Sequence, residues 1–297
     1  MKIIGINYLS ESSVALIDNG ELKYAISEER LNRIKNWWGN PYKAVNFVLK
    51  ETKNKLKDID VFATHGLSCV KKLNPNKAIF ERKIEEIKLS NLDTQKKKSQ
   101  INFLRKRIVH ELKARKRNSK KINLLKRKYK NLDIHDHHEA HAASAYFYSG
   151  WTKCYVLTID GWGDDFSSKL YKADNGKLVQ ISATSSLDSL GYFYGSITKL
   201  LGYKPHRHEG KILGLAAFGN WKKAYSFISK MISYDKLNKS FKGNYEKGFY
   251  LSKFENPNIN FLKKKFSSAD IAAAAQKRIE EVIVDFIKDN LKKKTKI

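Results

Sequence analysis

The stretch HDHHEAHAASAY, residues 135–146, holds four of the chain's eight histidines. His137 and His141 stand four apart, so on a helix both imidazoles project from one face. That separation lets two nitrogens meet one metal ion. Ala140, Ala142 and Ala143 leave room for close backbone approach. His138 points elsewhere and is suited to donate to a phosphate or to support the ligands from behind. Two histidines do not complete a site, because a third ligand, usually a carboxylate, has to come from another part of the chain.

Three other stretches carry candidate chemistry. Asp160 ends an apolar run, Cys154–Asp160, and is placed to contact a metal or a metal-bound water. Gly161 and Gly163 follow it and predict a tight, positive-φ turn with backbone N–H groups facing a phosphate. A plain Asp-Gly turn reads the same way. Ser10–Ser13 (SESS) is the equivalent turn in the first half, where Ser12 and Ser13 offer hydroxyls and N–H groups, though serine turns are common. In HRHEGKILGLAAFG (206–219), Lys211 stands between two glycines near a predicted helix start, a point charge for a phosphate oxygen. EERLNRIKN (28–36) supplies Glu29, Arg30, Arg33 and Lys35, which alone read as a charged surface turn.

The elements that must position these residues follow from hydrophobic pattern. Ile3–Leu9 and Ser12–Asp18 are β-rich apolar runs, and Asn19-Gly20 turns the chain into a third strand, Leu22–Ser27. Pro41 opens a helix with Ala44, Phe47 and Val48 on one face, and Ile59–Thr64 reads as a buried strand. Residues 78–130 read as long basic helices, and 139–148 as a helix behind the histidines. A second cycle then begins with the strand Cys154–Asp160, the GWGDD turn, a returning strand, the Asp174-Asn175-Gly176 hairpin and a third strand. Three helical stretches close the chain, the last over Ser267 to Leu291. The halves repeat a pattern rather than a sequence. The expected class is α/β: an actin-like, two-lobed, ribonuclease-H-like fold with a phosphoryl ligand between the lobes. Residues 1–150 form the first lobe, with a basic helical insertion at about 71–130. Residues 151–297 form a second lobe that lacks its later parallel strands.

Composition narrows the setting. The chain of 297 residues is 41% hydrophobic and 12% aromatic, as a folded protein is and a disordered one is not. Two cysteines, Cys69 and Cys154, make no disulfide framework and suit a reducing cytoplasm. The N-terminus is too briefly apolar for a signal peptide, and no segment is long enough to span a membrane. The net charge of +28 is uneven: residues 71–130 hold 22 Lys/Arg against 5 acids. Such a stretch can grip the phosphates of nucleic acid or another anionic surface. It is equally the pattern of a solvated helical insertion. Few aromatics interleave with the cations, which argues against a single-strand stacking platform.

Together these stretches resemble the carbamoyltransferase family that modifies nodulation factors and antibiotics. The matching segments are GINYLSESSVALIDNG, AISEERLNRIKN, HHEAHAASAY, VLTIDGWGD, SLGYFYGSITKLLGY, EGKILGLAAFG and DIAAAAQKRIEE, in the family's order and covering most of the chain outside residues 70–130. The resemblance implies an actin-like fold and ATP-dependent transfer of a carbamoyl group. Carbamoyl phosphate is the donor, carbamoyl-adenylate the intermediate and a small-molecule hydroxyl the acceptor. It makes His137 and His141 the metal pair, for iron (Fe2+) or another divalent ion. Asp160, Gly161 and Gly163 become a phosphate- or metal-facing loop. Ser12, Ser13, Arg30, Lys35 and Lys211 become contacts for the bound nucleotide and donor, and His138, Asp160 and Lys211 the catalytic candidates.

This chain departs from the family by carrying Ser10-Glu11 where a His-Asp pair usually stands. It also stops where the family continues into a glycine-rich segment, so the expectation is either a fragment of a longer chain or one half of a split enzyme whose partner is a second polypeptide. Two other readings compete: a threonylcarbamoyl-type enzyme acting on tRNA, and a non-catalytic nucleic-acid-binding remnant.

Overall fold

A computed structural model describes residues 1–70, 76–249 and 259–291. The chain forms two compact units, one of residues 1–73 with 109–140 and the other of 74–108 with 141–297.

The first unit is built on a five-stranded sheet. Its strands are β1 (Lys2–Asn7), β2 (Ser13–Asp18), β3 (Glu21–Ser27), β4 (Val61–His65) and β5 (Leu132–His135), in the order β3-β2-β1-β4-β5. The first three are antiparallel, and β4 and β5 run parallel to β1. The Asn19-Gly20 turn takes positive φ at both residues, which fixes the β2–β3 register Asp18↔Glu21. Alternation then sends Ile4, Ile6, Val14 and Leu16 into the core. Helix α1 (Glu29–Asn32) is a single turn, and α2 (Tyr42–Glu51) buries Ala44, Val45, Val48 and Leu49. With Pro41 at its N-cap, α2 has no side-chain cap of its own. The buried Glu28 carboxylate fills that role from a distance, accepting the Ala44 N–H at 2.7 Å. The EER motif is therefore partly a helix clamp. A short helix, α3 (Leu67–Val70), follows β4.

The basic insertion consists of α4 (Asn76–Leu89) and the 35-residue α5 (Thr94–Lys128), and residues 71–75, including Pro75, lie outside the described residues. It does not belong to one lobe. Phe80, Ile87, Phe103 and Leu104 join the core of the second unit, whereas Ile122, Leu125 and Tyr129 join that of the first.

After α4 and the first part of α5, the second unit continues with α6 (His137–Ser149), whose first turn belongs to the first unit. Strands β6 (Lys153–Gly163), β7 (Phe166–Asp174) and β8 (Lys177–Ser185) form an antiparallel sheet joined by the Asn175-Gly176 turn. Then come α7 (Leu190–Leu200), α8 (Glu209–Ala216), α9 (Trp221–Ile228), the hairpin β9 (Ile232–Asp235) and β10 (Ser240–Gly243), α10 (Phe261–Lys265) and α11 (Ser268–Leu291). Ala272, Ala274, Ala275, Val282 and Phe286 seat α11 against the core.

Gly219 sets how closely α11 approaches the end of α8. A Cβ there would lie 2.0 Å from Ala269 O and 2.8 Å from Asp270 N. Beside it the Asn220 N–H donates to Asp270 at 2.7 Å and Lys223 lies 3.2 Å away. The Asn220 N–H, first among these contacts, holds the Asp270 carboxyl below its ordinary value. A depressed carboxylate stabilises the fold above about pH 4 and loses that contribution as pH falls through its lowered value. Gly219→Ala is expected to cost about 3 kcal/mol, the upper end of overpacking. That lowers Tm by roughly 6–12 °C. An unchanged calorimetric Tm would mean that the two backbones separate freely.

Candidate metal centre

The parallel strands β1, β4 and β5 end together, and their carboxyl ends are where open α/β sheets place ligands. Asn7 closes β1. Its amide donates to Ser10 O at 2.9 Å and its Oδ1 accepts the Leu9 N–H at 3.2 Å, so it shapes the serine turn. His65 closes β4, donates from Nε2 to Asn7 Oδ1 at 3.1 Å and stacks on Tyr8 at 4.9 Å between ring centroids. The His137 ring meets His65 edge-on at 5.3 Å.

His137 starts α6, and Asp136 caps that helix by accepting the Glu139 N–H at 3.0 Å. One continuous helix carries His137 and His141, which places them a turn apart on the same side. Across from them, Asp160 lies on β6, with Oδ2 3.9 Å from His141 Nε2. One ligand atom from each of His137, His141 and Asp160 falls within 4.8 Å of the others. Two imidazoles and a carboxylate are a donor set for a divalent transition metal with positions left for exogenous ligands. The His141 and Asp160 side chains are 57% and 39% exposed, so such positions face solvent.

The loop after Asp160 differs from the expected glycine turn. β6 runs on through Gly163 with an irregularity after Ile159, and the positive-φ residues are Asp164 (48°) and Asp165 (75°) rather than Gly161 and Gly163. The Gly161 N–H is taken by Asp160 Oδ1 at 2.5 Å instead of facing outward. The glycine is needed for packing: Tyr192 would lie 3.4 Å from a Cβ on Gly161. Gly191, at the start of α7, is tighter, since its Cβ would meet Asp160 O, Gly161 Cα and Gly161 N at 2.9 Å. Ser189 completes the clamp, its hydroxyl donating to Asp160 O at 3.2 Å and accepting the Tyr192 N–H at 3.0 Å. The segments SLGYFYG and DGWGD are thus one device that fixes Asp160. Gly191→Ala should displace Asp160 and weaken divalent-metal binding about 10–100-fold, as loss of a supporting contact does. Equilibrium dialysis reads this, and undiminished affinity would show that α7 does not position the carboxylate.

The remaining sequence candidates are dispersed. His138 is fully buried with its ring 5.3 Å from His137, behind the cluster rather than facing solvent. Ser12 is buried, its N–H donating to Trp37 O and its carbonyl accepting the Glu28 N–H, and Ser13 begins β2. Arg30 and Lys35 are exposed. Lys211 is exposed on α8, and among the described residues its contact is with the Tyr203 ring at 5.9 Å. Asn7 and His65 went unpredicted. The usable signal was a His-Gly step ending a parallel strand, with Gly66 at φ 108°.

Comparison with known proteins agrees with the motif reading. Residues 2–297 match the family described as carbamoyltransferase N-terminus. An uncharacterized protein of Methanocaldococcus jannaschii is 28% identical over 97% of this chain and 47% of its own length. Nodulation protein NolNO of Sinorhizobium fredii is 29% identical over 72% of this chain and 28% of its own length. The chain thus spans about half, or less, of these relatives. Component A of (R)-2-hydroxyglutaryl-CoA dehydratase from Acidaminococcus fermentans is similar with a TM-score of 0.46 and 14% identity, covering 100% of this chain and 80% of that one. No helix among the described residues is long and apolar enough to cross a membrane. The matched family spans nearly every residue, the histidine helix and the Asp160 strand among them, and the chain belongs to the carbamoyltransferase family through its N-terminal region.

Proposed function

We propose that this chain is the N-terminal part of an ATP-dependent O-carbamoyltransferase. It would move a carbamoyl group from carbamoyl phosphate, through carbamoyl-adenylate, to the hydroxyl of a small molecule. The observation that carries the reading is the His137–His141–Asp160 group, whose ligand atoms lie within 4.8 Å of one another. It sits on two of the segments that match the family.

A divalent ion held there, Fe2+ or another, would polarise carbamoyl or phosphate oxygens as a Lewis acid. The chain's own residues do the rest. The Gly161 N–H and the Gly191–Ser189 clamp keep Asp160 aimed at His141. His138, buried against His137, holds the start of α6 in place. Asn7 and His65 shape the serine turn next to Ser12 and Ser13. Arg30, Lys35 and Lys211, all exposed, would supply cations for phosphate oxygens. In the transfer step the acceptor oxygen bonds to the carbamoyl carbon, AMP leaves, and the hydroxyl proton passes to a base or solvent. The two units would be the lobes of an actin-like fold.

The test uses the native assembly, isolated from its own cells through a tag on this chain. It is incubated with ATP and carbamoyl phosphate labelled at carbon. ATP-dependent AMP release, with label appearing on a hydroxyl compound, supports the reading. An assembly that binds the divalent ion yet consumes neither substrate would refute carbamoyl transfer.

A further inference from the structure

The C-terminal half of α5 buries one face and exposes a row of cations on the opposite one, where Val109, Leu112 and Leu124 are half exposed among them. Glu111, Ala114, Asn118, Ile122, Leu125 and Tyr129 are buried in the first unit. Lys113, Lys116, Lys120 and Arg127 are exposed. At about 100° per residue these four fall within ~60° of the helix circumference, diametrically opposite the buried row. They span about 21 Å of helix. None has an ion-pair partner among the described residues. The only acid anywhere in α5 is the buried Glu111.

The flank of this ridge is cationic as well. The Arg117 guanidinium lies 4.2 Å and the Lys121 ammonium 5.1 Å from the half-exposed Trp38 ring, and Lys128 sits 3.9 Å from Tyr42. The rings hold these cations in place and thereby have their own faces covered, so they do not act as base-stacking platforms. Crowding is felt: burial and the neighbouring Arg117 hold the Lys121 ammonium below its ordinary value. A linear row of uncompensated cations on a rigid ridge is complementary to a linear polyanion.

We infer that the ridge Lys113–Lys116–Lys120–Arg127, with Arg117 and Lys121 on its flank, is a docking surface for the phosphate backbone of duplex DNA. An anionic membrane fits less well, because the helix spends its continuous apolar face on the core, and the half-exposed Val109, Leu112 and Leu124 are too few and too scattered among the cations to form a second one. A helix is about 10–12 Å across and enters the ~12 Å major groove of B-DNA, whereas the major groove of A-form RNA is too narrow. No side chain is committed to base edges, so binding is sequence-independent and salt-dependent. This goes beyond carbamoyl transfer and does not depend on it.

The test is fluorescence anisotropy of a labelled 24-base-pair DNA of arbitrary sequence against the full chain, at about 50–200 mM salt. Log affinity should fall linearly with log salt, with a slope of about −4 to −5 for five or so phosphate contacts. The triple change Lys113→Gln, Lys116→Gln and Lys120→Gln should reduce the slope by about 3 and weaken binding ~10–100-fold. Lys50→Gln, Lys57→Gln and Lys177→Gln together, an equal loss of exposed charge elsewhere, should leave the slope nearly unchanged. Circular dichroism and Tm verify that both triples fold. The inference is overturned by equal effects of the two triples, by absence of DNA binding at 50 mM salt, or by tighter binding to duplex RNA or phosphatidylserine vesicles than to DNA.

Discussion

Changing Asp160 to Asn should reduce the chain's affinity for a divalent transition metal by at least about 100-fold, since even supporting residues outside the ligand set are worth 10–100-fold. The substitution is chosen because Asn keeps Oδ1. The bond from the Gly161 N–H and the packing under Gly191 survive it, and only the negative charge aimed at His141 is lost. His141→Ala should have a similar effect for a different reason. It removes an imidazole that is more than half exposed, so the fold is untouched while one of the three donors vanishes. Elemental analysis after dialysis against the ion, alongside Tm, separates ligation from unfolding. Wild-type protein that retains no divalent ion, or variants that retain as much as it does, would end the metal reading.

Lys83→Met should destabilise the second unit by about 3–5 kcal/mol, the cost of stranding one charge of a buried pair. Lys83 comes from the basic insertion, yet its side chain is only 2% exposed and its ammonium lies 2.8 Å from Asp188. Asp188 also accepts the Gly243 N–H at 2.7 Å, so one carboxylate ties α4, β10 and the turn before α7. Met fills the volume of the lysine stem but leaves Asp188 charged and half-satisfied. Tm should fall by roughly 6–20 °C. Adding Asp188→Asn, which keeps an acceptor for Gly243 and removes the charge, should recover most of the loss. Additive costs would show that the two groups act separately rather than as a pair.

Much of this was legible from residue types alone. The two Asn-Gly hairpins, the alternation in β1 and β2 and the i, i+4 histidines are local features. Their physics is contained in a few consecutive residues: turn dihedrals, pleat period and helical period. They specify the first strands, the start of α6 and the pairing of two histidines on one helix face without any knowledge of distant packing. Strand β5 escaped notice because four residues carry too little pattern, and its identity rests on pairing with β4.

Three matters were decided only in the tertiary structure. Asp160 is held beside His141 because α7 packs against β6 through Gly191, a contact between residues about thirty apart that no spacing rule contains. Gly161 and Gly163 looked like turn residues, but the hairpin is made by Asp164 and Asp165. The glycines instead lie in the strand, where at Gly161 the ring of Tyr192 leaves little room for a side chain. The insertion read as one charged block, since charge counts are blind to direction. Folding sorts that block residue by residue, burying Lys83 against Asp188 and turning Lys113, Lys116 and Lys120 outward. The sequence by itself determined which residues could do chemistry, because that depends on side-chain type and short spacing. Which of them meet was settled by the packing of elements far apart in the chain, where burial and close approach choose among candidates that are locally equivalent.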